Sequence, residues 1–176
     1  MRAMMRSSAE TPQSRGGQDR FSVARLVFGV RSSSLPKDLA LLAARAALTW
    51  IFIYYGSGKL FGAFNQGGIH GTAQYFSHAA GLNPGTFFAV VGGLIEFGGG
   101  IAMALGLATR LAGLALFGDM VVAMVTITWA TGLNSNPGYQ VNIAVAALAL
   151  VMVFLGSGRF SLDAVIDRAL TDRATR

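Results

Sequence analysis

Four ionisable side chains stand in stretches that are otherwise apolar: Arg45, Lys59, Glu96 and Asp119. A charge placed in hydrocarbon costs roughly 2.5–3.5 kcal/mol on insertion scales, so such groups face one another inside a bundle rather than the lipid. One base with two acids, here Arg45 with Glu96 and Asp119, leaves either a net negative site or a carboxyl that keeps its proton. Two like charges at close range do not both ionise readily. Three kinds of chemistry suit such a cluster. It can be an ion network that fixes helix packing, a polar floor for a quinone or another amphipathic ligand, or a path for a proton or small solute.

Other residue types exclude much. His70 and His78 are the only histidines, and their spacing misses the i, i+4 arrangement that presents two imidazoles to one metal. Neither lies in an apolar stretch, which excludes a haem held between two membrane-buried histidines; both read as interfacial residues. With no cysteine, the chain has no thiol–disulfide chemistry, no cysteine-ligated iron–sulfur cluster and no cysteine zinc site. No glycine pattern follows a strand, so phosphate-loop and dinucleotide readings fail. No Ser/His/Asp arrangement is present. The sequence therefore predicts no catalytic residue, no metal site and no redox centre of its own.

The elements that must position the four charges are membrane spans. Of 176 residues, 53% are hydrophobic and 12% charged, with a mean hydropathy of +0.52. A soluble domain carries about twice that share of charge. About 20 apolar residues cross a ~30 Å hydrocarbon core, and four such runs are present, at residues 39–58, 84–107, 109–130 and 139–156. The fold class is thus all-α, a four-helix transmembrane bundle. Lys and Arg collect before the first run, at Arg110 between the second and third, and after the fourth, whereas residues 61–83 and 131–138 carry none. The positive-inside rule then places both termini in the cytoplasm. Tyr54, Tyr55, Tyr75, Trp129 and Tyr139 fall at the opposite boundary. The formal charge of +6 is read as this topology plus attraction to anionic lipid, not as nucleic-acid binding.

Three segments follow. Residues 1–38 form a cytoplasmic tail with an interfacial helix near Phe21–Val30, residues 39–160 form the membrane domain, and residues 161–176 form an amphipathic helix capped by Ser161. The outer loop has a short helix at about residues 72–80. At 1.5 Å per residue, Arg45 lies about six residues above the inner end of its span. Glu96 lies about ten below the outer end, and Asp119 about ten above the inner end, so a long guanidinium spans the difference. Lys59 is fourteen residues beyond Arg45, at the outer end near Gln140 and Asn142, and is expected to stay out of the cluster. Gly92, Gly99 and Gly106 recur every seven residues and predict close helix packing.

Arg45 with Tyr55-Gly56-Ser57-Gly58-Lys59, the loop motif Gly68-Ile69-His70-Gly71, Gly93-Leu94-Ile95-Glu96-Phe97-Gly98-Gly99, Gly106-Leu107-Ala108-Thr109-Arg110, Asp119-Met120 and Gly156-Ser157-Gly158-Arg159 occur in this order. The ordered set resembles the DoxX family of small four-helix membrane proteins, over about residues 39–166. Family members often have a glutamate where this chain has Gln140. The resemblance implies a protein of the bacterial inner (plasma) membrane. The family takes its name from a subunit linked to quinone-coupled sulfur oxidation, and relatives are labelled oxidoreductases or membrane partners of soluble redox enzymes. The expectation is an accessory subunit of a quinone-linked redox assembly. Its partners would be the lipid bilayer and a membrane redox complex or soluble redox enzyme, and its ligand a bound quinone or lipid at Arg45, Glu96, Asp119 and Lys59. Two alternatives stand beside it: a transporter-like protein for a small solute or lipid, and a scaffold that docks a partner through its terminal helices.

Overall fold

The computed structural model describes residues 34–133 and 138–174. The expected interfacial helix of the N-terminal tail lies outside the described residues. Among those described there is no strand, and the helices are α1 (Leu35–Phe61), α2 (Gly68–His78), α3 (Gly85–Leu105), α4 (Thr109–Ala123), α5 (Gln140–Leu155) and α6 (Leu162–Ala174). A π-helical turn, Met124–Thr128, and a short 3-10 turn carry α4 on to Thr131. Among the described residues three helices are long and apolar enough to cross a membrane: α1, α3 and the extended α4. α5 is apolar but has 16 residues.

α1 is longer at both ends than the apolar run predicts. Pro36 stands in its first turn, where a missing N–H removes no helical bond. At the other end Gly62 adopts a left-handed conformation, φ 71°, and donates to the Gly58 carbonyl. The helix therefore runs past Lys59, and α2 packs beside its end.

α1 and α3 form the tightest antiparallel pair. Gly56 lies so close to Phe97 that a Cβ there would sit 2.4 Å from the Phe97 backbone nitrogen. Gly93 faces Leu60 and Lys59, and Gly100 faces Ile53, so one register runs along the pair. The expected Gly92, Gly99 and Gly106 series does not share one role. Gly99 packs on Leu116 of α4, Gly106 makes the left-handed turn that ends α3, and Gly92 looks toward Asp119 with room to spare. The closest approach to α1 is made on the face one residue along, because Gly93 and Gly100 also repeat at seven and point there. Leu48, Phe52, Met103, Leu116, Ala149 and Met152, each fully buried, fill the centre. Outward-facing Trp50, Phe154, Val125 and Leu114 are more than half exposed, as acyl-chain contacts require.

One end of the bundle is tied by polar contacts. The buried Asp38 carboxylate accepts the Arg159 Nε at 2.6 Å. Asp163 accepts the backbone N–H groups of Ala108 at 2.7 Å and Thr109 at 3.0 Å. It thereby holds Ala108 in a left-handed conformation, φ 45°, and supplies the first turn of α4 with acceptors that α4 itself lacks. Ser161 Oγ accepts the Ala164 N–H as an N-cap for α6.

Candidate functional site

The α1–α3 register decides where the charges meet. Because Gly93 lies beside Lys59 and Phe97 beside Gly56, Glu96 comes level with the last turns of α1. Lys59 Nζ stands 2.7 Å from Glu96 Oε1, with the Glu96 side chain 3% exposed. Asp119 of α4 completes the group, lining one cavity together with Lys59. Phe76 of α2 closes the site from above, its ring centroid 5.8 Å from Lys59 Nζ. Neither Glu96 Oε2 nor Asp119 Oδ2 has a hydrogen-bond partner among the described residues.

The base in the cluster is therefore Lys59, not Arg45. The expectation that Arg45 joins Glu96 and Asp119 is corrected, as is the expectation that Lys59 is too distant. Counting heights from the edges of the apolar run misplaced both residues, since α1 begins four residues earlier and ends three later than 39–58. Arg45 instead donates to main-chain carbonyls at the tied end: Met103 at 2.8 Å, Ala104 at 2.9 Å, Phe160 at 2.7 Å and Ser157 at 3.3 Å. It joins the C-terminal end of α3 to the turn between α5 and α6.

Three cavities converge on Lys59. The first, about 370 Å³, lies between α3 and α4. Its walls are apolar, among them Phe88, Ile95 and Leu114, and its polar groups include Lys59 and Asp119. Val91, Leu114 and Val122 on its lining are also exposed on the lateral surface, so it opens sideways. A Cβ on Gly118, which lines it, would meet nothing within 4 Å. The second cavity, about 320 Å³, lies between α1 and α5 and is more polar, lined by Tyr55, Glu96, Thr128, Gln140 and Asn142. Thr128 ends the π-helical turn and donates to Asn142 Oδ1 at 3.2 Å. The third, about 380 Å³, opens beside α2, with Gln66, Thr72 and Tyr75. Lys59 thus does share a cavity with Gln140 and Asn142, as its position in the sequence predicts, while its ammonium turns to Glu96.

Sequence reasoning did not reach Gln66 or Gly118. Nothing in a single glycine or a loop glutamine marks a cavity wall, and the π-helical turn has no sequence signature. His70 and His78 lie at opposite ends of α2, both exposed. Among the described residues no group of three His, Cys, Asp or Glu is placed to hold a metal ion.

The family model for DoxX matches residues 40–129, which include Arg45, Lys59, Glu96 and Asp119. The chain belongs to the DoxX family. It is also 31% identical over 134 residues to inner membrane protein YqjF of Escherichia coli strain K12, an alignment covering 75% of this chain and 95% of that protein. No solved structure matches it. With three apolar helices of spanning length, this DoxX protein resides in the inner membrane.

Proposed function

We propose that this DoxX protein is a small accessory subunit of a quinone-linked membrane redox assembly, and that it binds the head of a quinone or a similar amphipathic molecule in the α3–α4 cavity. The observation that carries the reading is the polar floor of an apolar, laterally open chamber. Lys59 supplies a hydrogen-bond donor for a carbonyl head, and Phe88, Ile95 and Leu114 supply apolar contact for a ring and tail. The chain has no cysteine and only two histidines, both on the exposed faces of α2, so electrons would come from a bound quinone or from a partner's cofactor.

The reading includes a four-span bundle with α5 as the short fourth span and both ends of the chain in the cytoplasm. In its support, Lys37, Arg110, Arg159, Arg168 and Arg173 all belong to the segments joined at the tied end, whereas the α2 end has, among the described residues, Lys59 alone, paired with Glu96. Transport of a solute across the bundle is disfavoured by the fully buried Leu48, Phe52, Met103 and Met152 between the site and that end.

Gly118→Leu tests the reading, since the added side chain enters open cavity space. Wild type purified gently from its own membranes should retain a quinone or amphipathic lipid detectable by mass spectrometry. The variant should fold with unchanged stability and lose at least about tenfold of that ligand, a difference of about 1.4 kcal/mol. Equal retention by the two proteins, or retention of no such molecule by wild type, would count against the cavity as its site.

A further inference from the structure

We propose that Glu96 and Asp119 hold one exchangeable proton between them, so that with the Lys59 ammonium the site carries no net charge. Two carboxylates and one ammonium would leave an uncompensated negative charge among apolar helices, which is costly. The charged groups of the surrounding elements do not supply the missing cation. From α1 only Lys59 faces the site, because the Arg45 donors go to four carbonyls at the tied end. α2 contributes the Phe76 ring, while His70 and His78 point to the surface. α3 contributes Glu96 alone, and α4 contributes Asp119, with Arg110 in the first turn at its opposite end. α5 has no ionisable residue.

Geometry points the same way. Lys59 Nζ is committed to Glu96 Oε1 at 2.7 Å, Asp119 lines the same cavity as Lys59, and both Glu96 Oε2 and Asp119 Oδ2 are buried without a hydrogen-bond partner among the described residues. Leaving two such acceptors unsatisfied is expensive, whereas one O–H···O contact between carboxyls satisfies both residues. Glu96 lines the polar α1–α5 cavity and Asp119 the apolar α3–α4 cavity. The proton therefore sits on the partition between a chamber with polar walls, where water can exchange it, and a chamber open to lipid.

The test is infrared spectroscopy of the full chain in liposomes at neutral pH, after detergent washing to remove bound lipid and quinone. Wild type should show the C=O stretch of a protonated carboxylic acid, and the band should move to lower frequency in heavy water. Glu96→Gln and Asp119→Asn should each abolish it, because Lys59 alone balances the one carboxylate that remains. Lys59→Met should double it, since both carboxyls then need protons. The amide band in the same spectra reports whether each variant keeps its helices, and either amide variant suffices if the other does not fold. Absence of the acid band in wild type would overturn the proposal, as would an unchanged band in a folded Glu96→Gln or Asp119→Asn protein. The measurement concerns side chains only, so its failure is separate from failure of the ligand reading.

Discussion

Arg45→Met should lower the stability of the folded protein by about 3 kcal/mol, because buried carbonyls left without a donor cost about 1–3 kcal/mol each. Arg45 is 2% exposed, and its guanidinium is bonded to the carbonyls of Met103, Ala104, Ser157 and Phe160. These four acceptors belong to the end of α3 and to the turn between α5 and α6, so one side chain of α1 fastens the start of the bundle to its last two helices. Methionine fills much of the same volume and supplies no donor. Arg45→Lys should recover less than half of the loss, because an ammonium has three donors on a point and cannot reproduce the planar fork. Thermal unfolding followed by circular dichroism in detergent reads both variants. An Arg45→Met protein as stable as wild type would show that the carbonyls do not depend on this residue.

The second large effect is expected at Gly56. A Cβ there would lie 2.4 Å from the Phe97 nitrogen and 2.8 Å from its Cα, and backbone of a packed helix cannot step aside as a side-chain tip can. Gly56→Leu should separate α1 from α3 and destabilise the protein by the upper end of the usual 1–3 kcal/mol for overpacking, or about 3 kcal/mol. The same substitution at Gly118 meets open space and should change stability by no more than about 0.5 kcal/mol. Two identical replacements with opposite outcomes separate the helix contact from the cavity wall. Comparison of folded yield and melting temperature for the pair checks this, and equal destabilisation would contradict the assigned roles.

The sequence carries the spans well, because hydrocarbon thickness imposes long apolar runs that no other fold needs. It also singles out Glu96 and Asp119, which have no reason to lie in such runs unless they face inward. Their partner was not legible. Choosing between Arg45 and Lys59 depends on the relative height of α1 and α3, and a few residues of helix beyond each end of the apolar run reverse the answer. Gly56, Gly93 and Gly100 hold that register, yet the equally regular Gly92, Gly99 and Gly106 offer a competing pattern in the same segment. The Asp38–Arg159 and Asp163–Ala108 contacts join residues more than fifty positions apart, and nothing in local spacing signals them. Asp163 in particular reads as a dipole-compensating residue of α6, whereas its carboxylate is spent on the first turn of α4.

The central claim, that the base facing the buried acids comes from the end of α1 and not from its middle, is open to a direct distance measurement on unmutated protein. Lysine occurs only at positions 37 and 59, and glutamate only at 10 and 96. Isotope labels on lysine side-chain nitrogens and glutamate carboxyl carbons therefore give an unambiguous solid-state NMR experiment in lipid. Strong dipolar coupling between the Lys59 nitrogen and the Glu96 carboxyl carbon is predicted, consistent with Nζ to Oε1 at 2.7 Å. Absence of that coupling, in protein whose Glu96 carboxyl signal is resolved, would contradict the account.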